Sequence, residues 1–180
     1  MDMKQAVVGV LALVVGLSLA QQVDYREVAR SAAVLARLQS VAQGATGEER
    51  LLGWAKAVKA RAEGSYEAKE YFKALREAQA ALLLYRAARG EPQVRAHMGF
   101  HPSFGPRGWD GKGVDPSARL RARAQAASQR AEKELAYYRG QDPLAKDLVA
   151  EAKNRLEKEP GRAWMLAQAA LALISAERGF

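Results

Sequence analysis

AQAALLLYRAARG, residues 78–90, returns as AQAALALISAERG, residues 167–179, with nine of thirteen positions identical and no gap. The identity includes Gln and the terminal Arg-Gly, not only Ala and Leu, which points to a repeated structural unit. Upstream, Lys59-Ala60-Arg61-Ala62-Glu63 corresponds to Lys153-Asn154-Arg155-Leu156-Glu157, after which the first half carries about five extra residues. Charge follows the same division: residues 21–90 and residues 116–180 each hold twelve basic and eight acidic side chains. The expectation is two similar three-helix units, about 24–90 and 116–179. The alternative is that alanine-rich amphipathic helices simply resemble one another.

Composition sets the fold class. The chain is rich in Ala, Leu, Arg and Glu and contains a single Thr, a single Asn and a single Ile. Helix formers abound and strand formers are scarce, so an all-α protein is expected. The bias is thermophile-like, with many charges and few labile amides. Cysteine is absent, which excludes disulfides and thiolate metal sites, so the domain must stand on its core. Residues 21–180 are long enough to form one helical domain.

Capping signals place the helices. Asp24 with Glu27 and Thr46 with Glu49 have capping-box spacing, Asp115-Pro116 and Asp142-Pro143 pair an N-cap with a first-turn proline, and Glu159-Pro160 opens a sixth helix. Gly44, Gly64, Gly90, Gly140 and Gly179 stand where helices should stop. Helices are predicted at about 24–43, 47–63, 66–89, 116–139, 143–158 and 160–178, forming antiparallel hairpins or a short helical-repeat stack. Tyr71, Leu75, Ala78, Leu82 and Tyr85 mark one apolar seam; Leu120, Ala124, Ala127, Ala131, Leu135 and Tyr138 mark another. Alanine seams imply closely approaching axes, with Trp54, Tyr71, Phe72, Tyr85, Tyr138 and Trp164 expected to supply core bulk.

The pattern Ala74-x-x-x-Ala78-x-x-Ala81-Leu82, repeated as Ala163-x-x-x-Ala167-x-x-Ala170-Leu171, resembles the second helix of a tetratricopeptide repeat, as does GSYEAKEYFKAL, residues 64–75. The resemblance covers two helices of six. It implies helix pairs stacked into a solenoid whose concave face binds peptides or proteins, and it carries over no binding residues.

Two segments stand apart from this pattern. Residues 1–20 combine Lys4, an uncharged run from Ala6 to Ala20 and the closing Ser18-Leu19-Ala20, the layout of a signal peptide cleaved before Gln21. The alternative is a short retained anchor facing the periplasm, although fifteen residues reach only about 22 Å of a roughly 30 Å bilayer core. Residues 91–115 form a long Gly/Pro/aromatic connection that should dock on the helices or on a partner. His97 and His101 flank Gly99, with Pro102 following, so they hold no helical metal-ligand spacing. Motifs for a nucleophile elbow, a phosphate loop or a zinc helix are absent, so neither cofactor, metal nor catalytic residue is expected.

Net charge is +8, and residues 116–131 hold Arg119, Arg121, Arg123 and Arg130 without one acid. Arg119, Arg123 and Arg130 share a helix face that suits phosphates or another anionic polymer. The functional expectation is a non-enzymatic, exported protein of the periplasm or cell surface, binding envelope proteins as an adaptor or accessory subunit. Its expected contact residues are Phe100, His101, Phe104, Trp109, Arg119, Arg123 and Arg130. The alternative is a basic binder of DNA, lipid headgroups or envelope polysaccharide, with membrane contact only if the N-terminal segment is uncleaved.

Overall fold

The computed structural model describes residues 25–90, 115–138 and 140–179. Six helices make up these residues: α1 (Tyr25–Gln43), α2 (Glu49–Glu67), α3 (Tyr71–Arg89), α4 (Pro116–Tyr137), α5 (Pro143–Arg155) and α6 (Pro160–Arg178). They cluster as two three-helix groups. In the first, α3 packs against α1 and α2; in the second, α6 packs against α4 and α5; the groups meet through α3 and α6.

The repeated segment forms this meeting. Ala74, Ala78, Ala80, Ala81, Leu84, Tyr85 and Ala87 are buried in α3, and their counterparts in the ungapped register, Ala163, Ala167, Ala169, Ala170, Leu173, Ile174 and Ala176, are buried in α6. Such burial runs around most of each helix circumference, as expected for helices enclosed by neighbours rather than lying at a surface. Alanine suits the position because it keeps high helix propensity while letting several axes approach at once. The outer helices α1 and α4 bury a narrower stripe: Ser31, Leu35 and Leu38 in the first, Ala124, Ala127, Ser128 and Ala131 in the second.

The helix ends show where local sequence signals yield to packing. Asp115 accepts a hydrogen bond from the Ser117 backbone N–H, and Asp142 one from that of Leu144, each 3.0 Å, so both acid-proline starts are capped as expected. Asp24 lies outside the described residues. Thr46 does not cap α2; the N-cap is Glu48, whose side chain makes no cap bond because its carboxylate is engaged elsewhere. Gly64 does not end α2, which continues to Glu67, and α3 begins at Tyr71 instead of near residue 66. The stop is set by Lys69, in the left-handed conformation with φ 64°. Around it the Lys69 N–H donates to the Tyr66 carbonyl and the Glu70 N–H to the Ser65 carbonyl, the paired bonds of a Schellman motif. Helices α4 and α5 stop slightly early, at Tyr137 and Arg155.

The aromatic residues correct a second expectation. Of the six expected in the core, only Tyr85 is fully buried; Trp54, Tyr71 and Phe72 are half-buried, while Tyr138 and Trp164 are 40% and 36% exposed. Axes close enough for alanine leave no room for rings, which move to the rims. There guanidinium groups cover three of them: Arg50 over Trp54 at 4.6 Å, Arg76 over Phe72 at 5.2 Å and Arg178 over Tyr138 at 3.6 Å. Tyr71, Leu75, Leu120 and Leu135 of the expected seams are likewise only partly buried.

The five extra residues of the first half lengthen α2, which has 19 residues against 13 in α5. Lysine at a left-handed position costs about 1 kcal/mol that glycine avoids. Lys69→Gly should therefore raise stability by about 0.5–1 kcal/mol, read as a later midpoint in urea denaturation with an unchanged slope.

Candidate functional site

Two ion-pair clusters tie the groups together, and they are reciprocal. The Arg61 guanidinium on α2 reaches Asp142, the N-cap of α5, at 2.6 Å. The Arg155 guanidinium on α5 reaches Glu48, the N-cap of α2, by a two-pronged contact at 2.5 and 2.8 Å. Arg61 and Arg155 occupy the same place in the internal alignment, and that register also matches Glu48 with Asp142. Each group thus extends an arginine from its second helix to the start of the other's second helix, the pattern of a two-fold interface.

Beyond these shared pairs the two sides differ. On the α5 side, Arg155 also binds Glu151 at 2.6 Å and Glu159 at 2.8 Å, while Arg162 binds Glu159 at 2.9 Å and approaches Glu48 at 3.5 Å. The α1–α2 turn seats on the end of α3, with the Glu48 N–H donating to the Ala88 carbonyl at 3.0 Å. Gly47 permits this seating, because a Cβ there would lie 2.0 Å from that carbonyl oxygen. Side chains and turn together close this side.

The opposite side is open. A groove of 1060 Å³ runs between the α2–α3 turn, the α4–α5 turn and the last turn of α6, with Glu27 of α1 at its margin. Its floor includes Arg61, held from behind by Glu77 at 3.3 Å as well as by Asp142. Glu77 is 1% exposed and also accepts a hydrogen bond from the Ser65 hydroxyl at 2.7 Å. Burying a carboxylate without such partners is costly. Burial opposes the Arg61 charge, yet the hydrogen bond and charge of Asp142, joined by Glu77, raise its pKa above the ordinary value. Tyr71, Phe72 and Tyr138 add aromatic surface to the groove.

The openness has a local cause. In the alignment Gln141 stands where Gly47 stands in the first group, so the α4–α5 turn carries a Cβ where the closed side tolerates none. Lys73 stands where Arg162 stands; it bonds Glu70 at 2.8 Å, the counterpart of Glu159, and makes no bond to Asp142.

Of the residues expected to form contacts, Phe100, His101, Phe104 and Trp109 lie outside the described residues, as do His97 and nearly all of the 91–115 connection. Arg119, Arg123 and Arg130 are exposed on α4, and none lines the groove. Arg130 pairs with Glu134 at 2.8 Å, and Arg121 with Glu157 at 3.7 Å; Arg119 and Arg123 make no ion pair with a described residue. Sequence patterning alone does not single out Arg61, Glu77 and Asp142 as site residues. A usable signal exists in hindsight, since Glu77 aligns with Leu166, a charge replacing a core aliphatic between otherwise similar copies. No grouping of three or more His, Asp or Glu able to hold a metal occurs among the described residues, and no described helix is long and apolar enough to cross a membrane. The chain matches no family model, and neither curated proteins nor solved structures give a match.

The Glu48–Arg155 pair makes stability depend on acid. The Glu48 carboxyl is held below its ordinary value of 4.5 chiefly by hydrogen bonds from Arg155, burial opposing and the charges of Arg155, Arg162 and Arg50 assisting. A depressed carboxyl contributes stability above its unfolded pKa and loses it as pH falls through the folded value. Glu48→Gln should cost about 1–2 kcal/mol at neutral pH. The difference from wild type should shrink steadily below pH 4.5 in thermal melts followed by circular dichroism.

Proposed function

We propose that this is a non-enzymatic binding protein, an exported adaptor or accessory subunit that docks an envelope polypeptide in the groove between the α2–α3 turn and the end of α6. The observation carrying this reading is the groove itself. It is 1060 Å³ in volume, open at the surface, and lined by aromatic rings and by charges of both signs. Aromatic residues and arginine are the types enriched where polypeptides dock, and Tyr71, Phe72, Tyr138, Arg61 and Arg178 line this groove. The N-terminal segment 1–20, read as a signal peptide, supplies the address.

Photocrosslinking tests the docking. A benzophenone amino acid at Phe72 or Tyr138, expressed in the native cell, should crosslink to one discrete polypeptide, and the same probe at Arg119 should not. Equal labelling from all three positions, or none, would sink the reading.

One observation favours the second reading, an anionic-polymer binder: Arg119 and Arg123 stand exposed one helical turn apart with no ion pair to a described residue. On that reading Arg119→Glu with Arg123→Glu lowers affinity for a DNA duplex and reduces the slope of log affinity against log salt by about two. On the docking reading duplex binding stays weak and the double variant leaves crosslinking from Tyr138 intact.

A further inference from the structure

We infer that the open groove receives a basic side chain, an arginine above all, from the docked polypeptide. This rests on the docking reading and names the chemistry of its anchor. The argument begins with the closed side, where the chain shows what the corresponding space accepts. There the guanidinium of Arg162 lies between Glu159, the N-cap of α6, and Glu48, the N-cap of α2, close to Gly90 at the end of α3. One alignment register matches Glu159 with Glu70, Arg162 with Lys73 and Gly90 with Gly179, and the other matches Glu48 with Asp142. The open groove keeps part of the frame around Arg162: Glu70 lines it and holds the shorter-reaching Lys73, while Asp142 is buried on Arg61 behind the lining.

Charge points the same way. Among the described cations of the groove, Arg61 is committed to Asp142 and Glu77, Lys73 to Glu70, and Arg178 to Glu134 at 3.8 Å and to the ring of Tyr138. Lys69 makes no ion pair with a described residue. Against it stand two carboxylates without ion pairs to described residues, Glu27 and Glu177. Glu177 replaces the closed side's Ala88, so the open groove has gained an acid at the helix end. Its carboxylate lies beside the α4–α5 turn, 3.6 Å from where a Cβ on Gly140 would stand. The last carbonyls of α6 add partial negative charge to the same place. A planar guanidinium can meet a carboxylate, helix-end carbonyls and an aromatic face together, as an ammonium cannot.

The test uses amide NMR on the full chain, with Nα-acetyl-arginine amide as probe and Nα-acetyl-citrulline amide as its uncharged isostere. The arginine probe should shift the Gln141, Glu177 and Gly179 resonances saturably, and the citrulline probe should bind at least about tenfold more weakly. Glu27→Gln with Glu177→Gln, both surface changes, should abolish the preference. Lys73→Arg, which supplies the chain's own guanidinium, should weaken probe binding. Equal response to both probes, shifts confined to other surfaces, or an undiminished preference in the double variant would overturn the inference. Crosslinking from Tyr138 to a polypeptide whose capture is unaffected by the double variant would leave docking intact and remove the arginine anchor. Loss of crosslinking altogether would remove both.

Discussion

A helix enclosed by neighbours has little solvated face, and this constraint governs both α3 and α6. Each must be small where another axis crosses it and apolar where a gap remains, so alanine alternates with leucine around most of the circumference. The consequence is visible in the chain itself. Similarity between the halves concentrates in these two helices because both sit in the same environment, each at the centre of a three-helix group and against the other. Where the environment relaxes, in α1 and α4, the buried stripe narrows and its residues differ.

Packing of two alanine-rich helices is not selective, since small residues at many registers give similar contacts. The reciprocal arginines supply selection. Arg61 to Asp142 and Arg155 to Glu48 oppose sliding of one group along the other, because a shift of one helical turn would take both N-cap carboxylates from their arginines. Breaking one partner of such a half-buried pair costs far more than the intact pair contributes, which makes the contact a register device more than a source of stability. The same contact explains an anomaly of local structure: Glu48 occupies an N-cap yet leaves the α2 N-terminus uncapped by its side chain, because the longer reach of glutamate serves Arg155 instead.

The fold was legible wherever the determining signal is local. Acid-proline starts at Asp115 and Asp142, the terminal Gly90 and Gly179, and the ungapped repeat lead to six helices in two groups. Gly64 misled because a glycine inside a helix costs only about 1 kcal/mol, which burial of Ser65 and the Ser65–Glu77 hydrogen bond outweigh. The stop at Lys69 was not legible because a left-handed stop is ordinarily written with glycine. The aromatics misled because bulk was assigned by hydrophobicity alone, whereas the alanine seams that suggested close axes also exclude rings from between them. The groove was not legible, as it draws on α1, the α2–α3 turn, the α4–α5 turn and α6, segments that meet only after the groups pair. Arg61 was visible as a repeated residue, but its partner in the other half was not.

The contrast between the two sides bears on why the groove exists. A concavity between packed helices forfeits contacts that a filled one retains, and the chain carries in its other half a working arrangement for filling it. Four of the differences between the sides are local to the groove: Gln141 for a glycine, Lys73 for an arginine, Glu177 for an alanine, and a longer α2 that places Ser65 on Glu77. Each acts in the same direction. The first holds the turn away from the helix end, the second shortens the cation that would bridge the N-caps, the third adds a carboxylate without an ion pair among the described residues, and the fourth anchors the buried acid behind Arg61. Beneath the groove Glu77 and Asp142 are both bonded to Arg61, so these three buried or half-buried charges are partnered while the mouth stays open. Preorganised walls spare the ordering cost that binding otherwise incurs, and this is what supports the docking proposed for the groove.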